Sequence, residues 1–505
     1  MIQARDYPLG PVRLLLLLTG LAFLTLTGCA DPTRQVISKP FLVDSPSPET
    51  IFGEATIGPK ASKEAIQTIA VPPPPHTGPL TLDECLEMAK KVSPSLDSAD
   101  QGYMGALWSR WQAITDFLPA VGVSYGRTYH GDRATVPVGA GRNQYSFGAQ
   151  ISQPLFTGGR NAANYLLSQL GVSAADIAKT QAREDLLLAV KQAYFSILAT
   201  EKALNVAKST VVNLQSHLNV AQNFFEVGMV PRNQVLEAEV ELAKAQQEET
   251  TQSRNLVVNK ARLNILLRRA VEAEVKIVDE LKYYKFPLTM DFCMNIGLND
   301  NPEIRLARNQ VEAGAKNVDV ARSELYPQIN LTYSNSSVGD SSRAHGGWAA
   351  NSSSWDVAAV ASLNVWEWGR SKANVEKTKV ALNQAINNLT SLEDNTKLEI
   401  TSNYQSLISA GRNIDVSRKA VESAAEDLRM VTERYQEQVA TNTDVLDAQT
   451  RYTEAQYEHF QSLYNYNLAW AAIERSLGRR VPAQGLPDQP LRPGSRFEVN
   501  PRNQQ

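Results

Sequence analysis

The sequence predicts a mixed α and β membrane protein, in which long coiled-coil helices continue into an antiparallel β-barrel that one chain cannot close alone. Three observations point there. The chain repeats itself once, at an offset of roughly 208 to 210 residues. Four segments alternate apolar and polar residues over lengths that cross a bilayer when tilted. A stretch from about Asn161 to Phe225 contains no proline and, at about 1.5 Å per residue, reads as a helix roughly 100 Å long, for which a compact globule has no room.

At the start, Arg5 and Arg13 precede an apolar run from Leu14 to Leu26, followed by Thr27, Gly28 and Cys29. This is the layout of a secretory signal peptide over residues 1–28. No other stretch approaches the ~20 consecutive apolar residues of a spanning helix, so any membrane crossing is assigned to strands. Leu26-Thr27-Gly28-Cys29 resembles a bacterial lipobox, which makes Cys29 the expected lipid attachment site; an ordinary signal peptide with an incidental cysteine is the alternative. Several acyl chains hold a protein stably on a bilayer. Ala30 rather than Asp follows the cysteine, an outer-membrane address by the usual sorting convention. No cofactor is expected beyond that covalent lipid.

Residues 29–79 are rich in Pro, Ser and Thr and end in Pro72 to Pro75, the composition of an extended tether. Residues 80–287 and 288–478 form the two repeats, and 479–505 a Pro-rich flexible tail. Leu80-Thr81-Leu82-Asp83-Glu84-Cys85 recurs as Leu288-Thr289-Met290-Asp291-Phe292-Cys293. Phe117-Leu118-Pro119 answers Leu325-Tyr326-Pro327, and the stretch ending Gly158-Gly159-Arg160 answers that ending Trp368-Gly369-Arg370. Val235-Leu236-Glu237-Ala238 matches Val445-Leu446-Asp447-Ala448. Each copy reads as one helix, two strands, then a pair of very long helices. Thr81 with Glu84 three residues on forms a capping box, and Thr289 starts the equivalent helix. Pro119 and Pro327 end the helical runs and hand the chain to strands.

The strand candidates are Val121 to Tyr129, Tyr145 to Ser152, Ile329 to Val338 and Trp355 to Val365. In the first, Val121, Val123, Tyr125, Arg127 and Tyr129 alternate with Gly122, Ser124, Gly126 and Thr128. Lipid satisfies no open sheet edge, and the smallest barrels need about eight strands, so several chains must contribute to one barrel. Trp366 and Trp368 suit either an interfacial aromatic girdle or packing against the helices. On the long helix, Ala189, Ala193, Ser196, Thr200, Ala203, Ala207 and Thr210 form one seam, and Leu187, Val190, Tyr194 and Ile197 a second beside it. Two seams require neighbours on both sides, as in the wall of a tube. Val445 through Ile473 repeats the pattern with the period of a left-handed supercoil.

The formal charge of -3, with no long basic run, leaves no footprint for nucleic acid. The five histidines are scattered without metal-ligand spacing, and no Gly-rich phosphate loop precedes a helix, so no enzyme is expected. His459, on a helix seam, reads as a packing residue. Cys85 and Cys293 read as small buried helix residues rather than a bridge.

Taken together, the internal repeat, Leu80 to Glu84, Pro154 to Arg160 and Asp444-Val445-Leu446-Asp447-Ala448-Gln449 resemble the TolC-like outer-membrane efflux protein family, lipoprotein branch, over Leu80 to Gly478. The resemblance implies a homotrimer whose twelve-stranded barrel in the outer membrane continues into a twelve-helix periplasmic tunnel. It implies an exit duct served by a periplasmic adaptor and an inner-membrane efflux transporter. The hairpins Glu226 to Gln234 and Glu437 to Asp444 would form the tunnel's inner end, with Gly228, Met229, Val230, Pro231, Val439, Ala440 and Thr441 as adaptor-contact tips. Asp444 and Asp447 match aspartates that ring the periplasmic aperture, and Tyr435 matches a tyrosine that holds it closed. The chain departs from the pattern at Ala440, in place of an arginine link, at Gln234, in place of its acidic partner, and at Gln438, in place of glycine. Without the family, Asp444 reads equally as a helix cap beside Thr443. An outlet for protein secretion, and a structural periplasmic spacer, are the alternative functions.

Overall fold

The structure, a computed structural model, describes residues 78–131, 143–278, 281–344 and 353–482. The signal peptide, Cys29, nearly all of the tether and most of the tail lie outside the described residues.

Helix α1 (Leu82–Val92) begins as the capping box dictates: Thr81 Oγ1 accepts from the Glu84 amide at 3.3 Å, and the Thr81 amide donates to Glu84 Oε2 at 2.9 Å. Where one helix is expected before the strands there are two. Pro94 opens α2 (Pro94–Thr115), and Ser93 before it is held extended at φ -71, ψ 121, because a proline ring disfavours helical backbone in the preceding residue. The second half repeats this break.

Strands β1 (Ala120–Tyr129), β2 (Asn143–Phe156), β3 (Gln328–Gly339) and β4 (Ser353–Ser362) form one antiparallel sheet in the order β1-β2-β3-β4. β2 and β3 join the two halves of the chain, with a register shift between Pro154 and Phe156. The last strand ends at Ser362 rather than continuing to Val365. Its partner Gln328 is the first paired residue of β3, and Pro327 before it has no N–H to extend the ladder.

The long helices are α3 (Arg160–Glu226) and α7 (Arg370–Gln436), each of 67 residues, which at about 1.5 Å per residue gives roughly 100 Å. Gly159 at φ 89 and Gly369 at φ 80 turn the chain into them through left-handed backbone that suits glycine. The return helices α4 (Arg232–Leu266) and α8 (Asn442–Leu477) are about half as long, at 35 and 36 residues. The second half opens with α5 (Met290–Asp300) and α6 (Pro302–Arg322), split by Pro302 as α1 and α2 are split by Pro94. Thr289 is the N-cap of α5 but makes no side-chain cap bond, and Phe292, in place of the glutamate of the first copy, has no carboxylate for the reciprocal bond. Asn301 caps α6 through Oδ1, which accepts from the Glu303 amide at 2.8 Å.

The first seam of α3 meets neighbours on both sides, and Val190, Tyr194 and Ile197 of the second share a core with Leu263 of α4 and Leu267 just after it. Towards α4, Asn259 Nδ2 donates to Thr200 Oγ1 at 2.8 Å. Towards α8, Thr210 pairs with Thr453 at 3.1 Å, Asn213 with Gln449 at 3.3 Å and Ser196 with Tyr464 at 3.3 Å. His459 of α8 bonds Ser417 of α7 at 3.1 Å, so the helices lie side by side in the order α4, α3, α8, α7. Leu80, Cys85, Val190, Tyr194, Ile197, Leu263 and Leu267 pack one core, and Cys293, Ile296, Ile400, Leu407, Tyr466, Ile473 and Leu477 a second. Cys85 and Cys293 are buried in separate cores and are not bridged to each other, and burial pushes the Cys293 thiol up to about 11. Among the described residues no helix is long and apolar enough to cross a membrane.

The α3 to α8 contact includes a buried ion pair between Lys191 and Glu474, whose other oxygen, Oε1, accepts from the Val481 amide at 2.7 Å. Replacing Lys191 by Met leaves that carboxylate buried without its cation and is expected to cost about 3 to 5 kcal/mol. Thermal unfolding followed by circular dichroism should show a larger fall in Tm for Lys191→Met than for Lys191→Met combined with Glu474→Leu.

Candidate functional site

The sheet has two chemically distinct faces. Paired residues of an antiparallel sheet share a face, so the register sorts every side chain. On one face lie Val121, Ile151, Tyr333 and Val357 in one row, with Val123, Ala149, Tyr125, Phe147, Leu331 and Ala359 around it. The other presents Ser124, Gln150, Ser152, Thr332, Ser334 and Asp356. Polar side chains on that face bond across strands: Ser334 donates to Asp356 at 2.7 Å, Asn330 donates to Ser152 at 2.9 Å, and Ser336 meets Ser354 at 2.9 Å. Tyr125, Tyr145, Phe147 and Trp355 gather near the loop end of the apolar face, where Arg127 stands over the Tyr145 ring at 5.6 Å and donates to Asn143 Oδ1 at 2.8 Å. Below the strands, Trp366 and Trp368 stack edge to face at 5.6 Å and are 74% and 89% exposed, so they do not pack against the helices. The outer backbone edges of β1 and β4 have no strand partner among the described residues.

At the far end of the helices the two hairpins turn by the same device. After α3, Gly228 at φ 81 donates to Phe225 O at 2.9 Å and Met229 donates to Phe224 O at 2.8 Å, a Schellman turn that satisfies the last carbonyls of the helix. After α7, Gln438 donates to Tyr435 O at 3.0 Å and Val439 to Arg434 O at 2.8 Å, with Gln438 at φ 62. A side chain in that left-handed position costs about 1 to 2 kcal/mol. Gln438 instead uses its amide: Nε2 donates to Met229 Sδ at 2.9 Å, tying one tip to the other. Met229 and Val439 are exposed, Val230 precedes the N-cap residue Pro231, and Ala440 precedes Thr441.

Thr441 is the N-cap of α8, and Asp444 is its capping-box partner, accepting from the Thr441 amide and from Thr441 Oγ1, both at 2.8 Å. The cap therefore involves Thr441, not Thr443. The backbone bond from Thr441, then its hydroxyl, hold the Asp444 carboxyl below the usual range. Asp447 is exposed one turn further on, so both carboxylates face outward from one side of the helix. Tyr435 is buried, its ring 5.0 Å from His217 and 5.7 Å from Phe224. Its hydroxyl and Gln234 Oε1 have no hydrogen-bond partner among the described residues, so Tyr435 is not bonded to Gln234.

What joins the hairpins instead is a group the sequence reading did not single out. Asn442, buried at the start of α8, accepts from His217 Nε2 at 2.7 Å and donates to Glu237 Oε2 at 3.2 Å and to Gln234 O at 3.4 Å. Because the Asn442 amide nitrogen is committed as donor, its oxygen accepts and His217 carries its proton on Nε2. A signal existed: His217 continues the three-four seam one heptad beyond Thr210.

Long paired helices bearing a two-faced antiparallel sheet define a recognisable class, and the chain belongs to the outer membrane efflux protein family, whose model matches residues 85–267 and 295–479. It is similar to the probable efflux pump outer membrane protein SepC of Pseudomonas putida, 23% identical over 294 residues that span 58% of this chain and 60% of SepC. It is similar also to the probable outer membrane lipoprotein SilC of Salmonella typhimurium, 22% identical over 346 residues, 66% of this chain and 72% of SilC. The fold matches that of the Campylobacter jejuni CmeC outer membrane channel with a TM-score of 0.70 at 18% identity, covering 79% of this chain and 85% of that one.

Two outcomes are expected at the tips. Gln438→Gly should stabilise the protein by about 1 kcal/mol, read as a rise in Tm, by removing the left-handed strain. Burial holds the His217 imidazole below its usual value, against the opposing bond to Asn442. Its contribution to stability is therefore complete above the unfolded value of about 6.5 and is lost as pH falls through the folded value. Amide exchange around Leu214 to Ala221 and Asn442 to Ala448, corrected for intrinsic rates, should accelerate between pH 7 and 5, and His217→Gln should flatten that dependence.

Proposed function

We propose that three copies of this chain form an outer-membrane exit duct, a passive conduit for substrates handed over by an inner-membrane efflux transporter and a periplasmic adaptor. The observation that carries this reading is the sheet: apolar on one face, polar on the other, and open at both edges. An open edge in hydrocarbon costs several kcal/mol for each unsatisfied group, so a lipid-facing sheet must close, and four strands cannot. Joining β4 of one copy to β1 of the next yields twelve strands, with the apolar face outward and the Ser-, Thr- and Gln-lined face around water. The exposed Trp366 and Trp368 then sit in the inner aromatic girdle and Tyr125, Phe147 and Trp355 in the outer one.

On this reading the helices continue the barrel into the periplasm as a tunnel. The tips from Gly228 to Pro231 and from Val439 to Thr441 meet the adaptor through exposed Met229 and Val439. Asp444 and Asp447, three of each, ring the inner aperture, where concentrated negative charge favours cations. Tyr435 packs behind them, and Cys29 bears the lipid that anchors the tether. Efflux is named in relatives such as SepC, and lipoprotein character in SilC. The chemistry is transport without catalysis.

Reconstitution in planar bilayers tests the duct directly. Asp444→Asn with Asp447→Asn is expected to give ohmic ion conductance with reduced cation preference, and no conductance from that variant would contradict the proposal. Val123→Arg, on the apolar face, should cost about 2 to 4 kcal/mol at mid-bilayer and abolish membrane assembly. Ser124→Arg, one residue on but facing the lumen, should assemble and lower cation conductance.

A further inference from the structure

Within one chain the helix layer ends in α4 on one side and α7 on the other, and each presents a face that no helix among the described residues covers. The repeat says what belongs there. α3 and α7 begin at Arg160 and Arg370, and α4 and α8 at Arg232 and Asn442, the same offset of about 210 residues. α7 thus corresponds to α3, and α4 to α8. The α3 to α8 contact inside the chain is then a template for a contact between α7 of one copy and α4 of the next.

The uncovered faces match that template. Val206 of α3 is 4% exposed, whereas its counterpart Val416 of α7 is 68% exposed. Leu446 of α8 packs on the cluster of Leu214 and Leu218, and its counterpart Leu236 of α4 is exposed. The bonded pair Thr210 and Thr453 corresponds to Ala420 and Ala243, two small residues that allow the same close approach. At the tip, the bonded pair His217 and Asn442 corresponds to Asp427 and Arg232, which have opposite charges. Arg232 is exposed and makes no ion pair among the described residues. Asp427 is paired through Oδ2 with Arg451 at 2.9 Å, which leaves Oδ1 for a second guanidinium.

We propose that Arg232 of one copy forms an ion pair with Asp427 of the adjoining copy, tying the tips between subunits as His217 and Asn442 tie them within one. The inference rests on the oligomeric reading above. It gives this chain an intersubunit link at the aperture that does not use position 440 or 234, where it has alanine and glutamine.

The test uses the full chain extracted from membranes, bearing Arg232→Cys and Asp427→Cys together and treated with a short bismaleimide. Cys85 and Cys293 are buried and should not react. Covalent dimers and trimers on a denaturing gel are expected from the double variant and from neither single one, whereas His217→Cys with Asn442→Cys should give only intrachain links. Monomer bands alone, in a preparation that sedimentation shows to be trimeric, would overturn the pairing and leave the assembly standing. Monomers by sedimentation as well would overturn both. As a second reading, Arg232→Asp should lower the temperature at which trimers dissociate, and adding Asp427→Arg should restore it; failure of the exchange to restore it would count against the pair.

Discussion

The unpaired backbone edges of a four-stranded, two-faced sheet are the constraint on which the rest depends. The outward-facing N–H and C=O groups of β1 and β4 need partners once water is gone, and no strand among the described residues supplies them. On the proposed reading, closure by further copies supplies those partners and at the same time separates lipid from lumen. It also sets the arrangement of the helices. Each strand pair hands its chain through Gly159 or Gly369 to a helix of 67 residues.

Those helices hold together by seams that are polar as often as apolar. Thr210 with Thr453, Asn213 with Gln449 and Lys191 with Glu474 link α3 to α8 along much of their shared length. Buried polar pairs contribute little net stability but penalise any misaligned register, because a shift of one turn strands each donor. A wall built this way is well suited to keep neighbouring helices aligned over a long span. At its far end the seam becomes the His217, Asn442 and Glu237 group, which joins three helices behind the exposed tips.

Much of this was legible in the sequence because it depends on local rules. The capping box at Thr81, the strand starts after Pro119 and Pro327, and the glycine turn at Gly228 follow from residues within a few positions of one another. The break at Pro94 was equally local, yet the continuous helical pattern around it masked the proline. Other features were hidden because they are made by residues far apart. The Asn442 partners lie more than 200 positions away, at separations of 225 and 205, and the Lys191 partner at 283. The role of Asp444 shows the limit from the other side: a capping bond to Thr441 accounts for its position without any reference to an aperture, and only the oligomeric reading adds the ring.

The central claim is that the sheet is a barrel wall with lipid on one side and water on the other. Single spin labels placed from Val121 to Thr128 in the reconstituted protein measure this, through their collision rates with dissolved oxygen and with a water-soluble nickel chelate. The account predicts a period of two: oxygen contact dominant at positions 121, 123 and 125, and chelate contact dominant at 122, 124 and 126. Equal accessibility of all positions to the chelate, with no alternation, would contradict it.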